Sequence, residues 1–482
     1  STITVKTYSN THFHNFFGRP SLWMVFIFFL FVSFWGVKGQ GVTISSTSTP
    51  GPTQDNPIPI EIHFEDGVDN LVSDDFSVVN GIIQNLVRKD PDFINFGSEN
   101  INNFPVKANF FEILANINRL DEFLTEKIKN AVIAIDVDSN DEVYFLTYGN
   151  GVFRFQANGS HIQIIPPSQF SSPLDMVIDN NDNIIVADSE NFKVRVYNQS
   201  THLFDIGGAQ GKDGNEFYGP TGLAVNSQNV LYVADAFTGS DPSGLDQVKL
   251  YQLNQSSANF IRRYGDNQIN DPFRIAVDKD NNVYLSDSGG SGNTGRVMVF
   301  NNTDVFQRAI LNSAQDSPGS LITDTYGYLY VVNYRGDLNF TDIYQDPVNL
   351  VSMYGIISTS NYDVDVFDPS NDFRKVAIIK ENLNLPVDLA LTKCGKLFVN
   401  DLNLGGTASL GGVNATFDFD IQKFRREDNF TANLIPSSSG VLEVKVEDQS
   451  LFKCDPQPVG EFSIIYKAEN ENQPPIAVPD FY

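Results

Sequence analysis

From residue 131 onward the apolar positions come in short runs of strand length, each closed by Asn, Asp or Gly. One stretch shows the order in full. Pro272-Phe-Arg-Ile275-Ala276-Val277-Asp278 gives a first run, Val283-Tyr284-Leu285-Ser-Asp287 a second and Arg296-Val297-Met-Val299-Phe300 a third. A weaker fourth run follows each phrase, as at Asn259–Tyr264. The order returns from Ile133, Pro173, Pro220, Pro318 and Pro386, six copies with the one at Pro272. Near-continuous apolar runs bounded by turn residues predict strands, and short loops between them predict antiparallel pairing. Self-similarity at this period means stacked units, none able to bury its apolar face alone.

Four antiparallel strands per repeat predict an all-β fold, a six-bladed β-propeller spanning 131–468. The repeated phrase resembles the NHL repeat, and beyond it the gluconolactonase-like six-bladed propellers, over about 131–430. This resemblance implies the fold and is nearly silent on function. Val441–Val446, Leu451–Phe452 and Phe462–Tyr466 leave a degenerate seventh blade or a small capping sheet open.

Residues 60–130 read differently, as a small mixed α/β segment. Val78, Val79, Ile82, Ile83, Leu86 and Val87 recur at helical spacing behind the capping signal Ser73-Asp-Asp. Phe111, Ile113, Ala115 and Ile117 alternate like a strand, which is expected to close the ring by supplying the outer strand of the last blade. Before them, 40–59 is a Ser/Thr/Pro linker.

Residues 1–39 are a signal peptide or signal-anchor region. Leu22–Val37 is almost unbroken apolar, short for a membrane span and suited to a signal core, with small residues before Gln40. Met24 is a candidate start. Any membrane contact runs through this stretch left uncleaved. At the other end, 469–482 contains Asn472-Gln-Pro-Pro475, which resembles the opening of cadherin-like or Ig-like repeats and implies a further sandwich domain. A secreted or cell-surface protein is the expectation.

The formal charge is −27, and removing the three cations of 1–39 takes it to −30. Such a balance excludes nucleic acid as a partner, because phosphate binding needs clustered cations. Seven Asn-X-Ser/Thr sequons stand at Asn158, Asn198, Asn254, Asn301, Asn339, Asn414 and Asn429. All but Asn339 and Asn414 fall just after a predicted third strand, on turns sharing one face, where glycans would cover the surface. Cys394 and Cys454 are the only cysteines. A disulfide between them, worth roughly 4 kcal/mol, and two separate buried thiols are both open, the first favoured by secretion.

The opposite face carries the strand 2–3 connections, whose length varies most. Variable loops on a rigid scaffold are where binding is expected, of an extracellular protein or glycan. Tyr334, Arg335, Tyr344 and Tyr354 in one long insert, with Asp235 and Asp401 at the ends of second strands, mark that face. The recurrent acids Asp188, Asp235, Asp287 and Asp401 are read first as structural acceptors of main-chain N–H groups. No cofactor is predicted, with calcium left open.

An enzyme is the alternative. The resemblance to metal-dependent lactonases implies an Asn or Asp directly after each repeat's Pro. Leu174, Thr221, Phe273, Gly319 and Val387 stand there instead. Asp175, Arg274 and Asp388 sit one residue further on, at the predicted channel mouth, where the acids either hold a cation or pair with Arg274. The zinc-dependent amidating lyases of NHL type imply metal-binding histidines. This chain has five, none at helical metal spacing.

Overall fold

The computed structural model describes residues 42–46, 53, 55–65, 68, 71–100, 108–109, 132–156, 160–236, 245–287, 295–311, 313, 316–334, 362–380, 382–392, 395–409, 412–446 and 461–466. They form two units, Phe93–Arg425 and a smaller one made of the flanking ends, Ser1–Asp92 with Arg426–Tyr482. Among the described residues every regular element is a strand apart from four three-residue 3-10 turns. The protein is all-β.

The larger unit holds five four-stranded antiparallel sheets in chain order. Their first strands are Val132–Val137 (sheet I), Pro173–Ile178 (II), Pro220–Val225 (III), Pro272–Val277 (IV) and Pro318–Thr323 (V). A sixth, VI, begins with Pro386–Leu391, continues through Leu397–Ser409 and enters the long strand Gly412–Pro436. Asp92–Asn100 and Ala108–Asn109 also pair with that long strand. The expected closing strand at 111–117 lies outside the described residues.

Each first strand packs beside the first strand of the next sheet, and that of VI packs beside that of I. The six therefore close a ring, with an apolar layer between every neighbouring pair of sheets. Ile133, Leu146, Met176 and Val186 fill the layer between I and II. Val132, Phe145, Ala390 and Ile421 fill the one between VI and I. Burial in these layers is what holds the sheets together, since adjacent sheets share no continuous ladder.

The smaller unit corrects the helix expected over Val78–Val87. Ser73–Asp75 is a single 3-10 turn, followed by strands Phe76–Val79 and Gly81–Arg88. Asn80, at φ 60°, breaks the chain between them. A Cβ on Gly81 would lie 2.8 Å from the Ile435 carbonyl oxygen, so the second strand approaches its neighbour as only glycine permits. The β-branched residues then alternate as strands do, with Ile83 buried and Ile82 and Val87 exposed. Among the described residues of 60–130 the mixed α/β character is thereby replaced by strands. Val441–Val446 and Phe462–Tyr466 join Phe76–Val79 in a three-stranded sheet of this unit. Leu451–Phe452 lies outside the described residues.

Candidate functional site

A first strand is the free edge of its sheet, so its outward N–H and C=O groups need partners that no ladder supplies. In all six sheets the pairing of first and second strands slips at the start, as between Pro173 and Asp175 or Pro386 and Asp388. The slip turns the residue two after the Pro position toward the hub. Those residues are Ala134, Asp175, Gly222, Arg274, Ser320 and Asp388.

Arg274 crosses this hub almost wholly buried. Its Nη1 donates to the Thr221 carbonyl at 3.0 Å, and Nη2 to the Ile133 carbonyl at 3.0 Å, on sheets III and I. The guanidinium lies 4.3 Å from the centre of the Phe273 ring. Its Nε stands 3.7 Å from Asp175 Oδ1 and 3.9 Å from Asp388 Oδ1. Gly222 leaves the room for this, because a Cβ there would meet Arg274 Cα at 2.9 Å.

The carboxylates face the neighbouring strands as well. Asp388 Oδ2 accepts the Ile135 N–H at 2.8 Å, and its Oδ1 the Ser320 hydroxyl at 2.6 Å. Asp175 Oδ2 accepts the Leu223 N–H at 2.7 Å. Asp136 Oδ2 accepts the Ile178 N–H at 2.6 Å. Burial pushes the Asp136 carboxyl up to about 7, against hydrogen bonds that lower it and with Asp388 and Asp175 adding to the rise. Burial also raises Asp175 and Asp388, and Arg274 opposes both shifts.

These side chains line a cavity of ≈ 250 Å³. Its other walls include Asp138, Ser139, Asp179, Asn180 and Asp182 in the turns between first and second strands. The cavity therefore lies toward that face, away from the strand 2–3 connections where binding was expected. Asp175, Arg274 and Asp388, expected at an open mouth, are instead buried inside the hub, since Arg274 spans it.

Other candidates fall elsewhere. Tyr334 is no loop contact: it is fully buried, its hydroxyl donates to the Pro386 carbonyl at 2.8 Å, and its ring sits over Gly319. Asp235 is buried too, accepting the N–H groups of Tyr218 and Gly219 and pairing with buried Lys249 at 3.1 Å. Asp401 accepts those of Asn384 and Leu385, and burial pushes it up to about 6. Both tie the stretch before a first strand to the end of the second, and their side chains are buried there and not offered to a ligand. Arg335, Tyr344, Tyr354, Cys394 and Cys454 lie outside the described residues.

Among the sequons, Asn198, the last residue of its third strand, and Asn254, just after its own, are exposed. Asn301 Oδ1 organises its own turn by accepting from Thr303 and Val305. Asn429 is corrected. Its strand runs on to Pro436 without a turn, and the amide bonds His63 Nδ1 and Asp92 Oδ2. Asn414 lies within the same strand, and Asn158 and Asn339 lie outside the described residues.

Asp136 and Ser320 were missed. The phrase Ile133-Ala-Ile135-Asp136 places Asp136 level with the turn acids Asp179 and Asp278. The register instead puts Asp138 there, its Oδ1 accepting from Asn140 and Glu142 as Asp179 does from Asn181 and Asn183. Sheet I's first strand starts at Val132 and has six residues, as sheet II's has, so its turn acid falls at Asp138, and that second acid was the available signal. Ser320 follows Pro318 at the spacing of Asp175, so the shared offset could have found it.

The NHL repeat model matches residues 170–197, the turn and strands that open sheet II. No curated protein matches the chain. Among solved structures, virginiamycin B lyase from Staphylococcus aureus is 10% identical, covering 62% of this chain and 95% of its own, at a TM-score of 0.40. A gluconolactonase from Xanthomonas campestris is 12% identical over 61% of this chain and 88% of its own, at 0.41. The WD40 repeats of RRP9 are 11% identical over 70% and 95%, at 0.38.

Proposed function

We propose that the chain is a six-bladed propeller of NHL type, secreted or displayed at the cell surface, acting as a non-catalytic protein- or glycan-binding or structural module of a larger extracellular protein. Six first strands that close a cycle support the blade number. The apolar run of residues 22–37, the acidic charge and the exposed sequons at Asn198 and Asn254 support the location.

One observation carries the non-catalytic part. The Arg274 guanidinium fills the hub between Asp175 and Asp388 and donates to main-chain carbonyls on two further sheets. A catalytic cation there would meet a fixed positive charge, and the carboxylates it needs already face that charge.

The rival reading, a metal-dependent lactonase or esterase, rests on the polar cavity and its carboxyl of raised pKa. Elemental analysis of the secreted protein after dialysis, followed by lactone hydrolysis with calcium, magnesium or zinc added, separates the two. We expect sub-stoichiometric metal and hydrolysis at the buffer rate. Metal-restored turnover would install the hydrolase instead. A glycosidase-sensitive mass shift mapped to Asn198 or Asn254 tests the location.

A further inference from the structure

The three junctions VI–I, I–II and II–III are each bridged by a carboxylate accepting a main-chain N–H of the next first strand. The first of these, Asp388 to Ile135, joins residues 253 apart in sequence and is where the ring closes. Sheet I is therefore held on both sides by carboxylates. We propose that the hub is a proton-binding switch that tightens this seam in mildly acidic surroundings and loosens it in alkaline ones.

The charges facing the cluster can be counted sheet by sheet. Asp136 comes from I, Asp175 from II and Asp388 from VI, while IV supplies Arg274 and V the uncharged Ser320. Sheet III contributes only apolar lining, Leu223 to Val225, and the turns add further acids at the cavity's outer end. One guanidinium thus stands against a cluster of three carboxyl groups, near Asp175 and Asp388 but not Asp136, and it donates N–H bonds to two carbonyls. With all three ionised the hub carries excess negative charge in a poorly solvated space, and repulsion acts across the seam. A proton removes that repulsion without removing the bridge, because the remaining C=O oxygen still accepts the N–H.

The sign follows from the raised carboxyls. The folded chain keeps protons that the unfolded chain has lost, so this cluster's contribution to stability is fully present only below about pH 4, the unfolded aspartate range. It falls as pH rises toward about 7, where Asp136 ionises in the fold, and levels off above.

The test uses the full secreted chain, labelled with carbon-13 at its aspartate carboxyls and titrated from about pH 4 to 9. At least one resonance should titrate near 7, and Asp136→Asn should remove it. In parallel, exchange of the Ile135, Ile178 and Leu223 amides should rise between pH 6 and 8 by about tenfold beyond the intrinsic change, a shift of one protonation step. Aspartates that all titrate in the ordinary range would overturn the proposal, and this reading of the unmodified protein stands even if the variant does not fold. So would a stability that climbs from pH 5 to 8, or a stoichiometric calcium ion that silences the amide exchange.

Discussion

The ring has two halves that solve one problem with opposite chemistry. From VI through I and II to III, carboxylates accept main-chain N–H groups across the junctions. From III through IV and V back to VI, hydroxyls donate to main-chain carbonyls. Thr221 reaches Pro272, Thr323 reaches Val277, and Tyr334 reaches Pro386, each at 2.8 Å. Ser320, whose hydroxyl serves the Asp388 carboxylate, is where the two modes meet. A hydroxyl is neutral at every relevant pH and inexpensive to bury once bonded. A carboxylate gives a stronger charge-assisted bond but needs a counter-charge or a proton. The hydroxyl half lends its neighbour that counter-charge, in Arg274 of sheet IV.

Removing Arg274 should break the comparison most severely. Arg274→Met keeps the bulk of the side chain yet leaves Asp175 and Asp388 facing each other without a cation. Losing one partner of a buried ion pair costs about 3–5 kcal/mol. Denaturant unfolding followed by far-UV circular dichroism should show a loss in that range at pH 8 and a smaller one at pH 5, where protons substitute for the guanidinium. An equal loss at both values would mean that Arg274 acts through its carbonyl bonds and packing alone, and the charge argument would fall.

On the hydroxyl half the effect should be smaller and blind to pH. Tyr334→Phe deletes one oxygen from a fully buried ring and strands the Pro386 carbonyl. An unsatisfied buried acceptor costs about 1–3 kcal/mol. The same unfolding experiment should return the same loss at pH 5 and 8. A pH-dependent loss would tie this junction to the carboxylate cluster.

How much of this was legible beforehand follows the same division. The repeated phrase carried the sheets, because apolar spacing and turn residues are local and recur in every copy. Asp175, Arg274 and Asp388 were singled out by their shared offset from a Pro, and the structure brings those three side chains together. What could not be read is which polar group completes each junction. Thr221 looks like a departure from a metal-ligand pattern and proves to be a hydrogen-bond donor, while Tyr334 looks like loop chemistry and is core. Both depend on the neighbouring sheet's distance, which no single repeat encodes. The Val78–Val87 run failed for another reason. Paired apolar residues fit helical spacing, and only the Asn80-Gly81 break argued for two strands.

The finest distinction comes from setting Thr323→Val beside Asp388→Asn. Thr323 is part-buried and donates one bond, so its loss should cost about 1 kcal/mol, equally at pH 5 and 8. Asp388→Asn keeps an oxygen for the Ile135 N–H but puts an NH2 group or a neutral oxygen against Ser320 and Arg274. Burial makes the native carboxyl hold a proton more readily than an ordinary aspartate, and while it holds one the exchange should cost little beyond this adjustment. As pH rises and the native side chain loses that proton, the amide removes one of the buried negative charges that repel. The variant's deficit should therefore shrink with rising pH and can change sign, because a raised folded pKa makes ionisation itself the destabilising event. If Asp388→Asn instead loses most at pH 8, its attraction to Arg274 outweighs both burial and the other acids. The carboxylate half would then be an ordinary salt-bridged seam, no different in kind from the hydroxyl half.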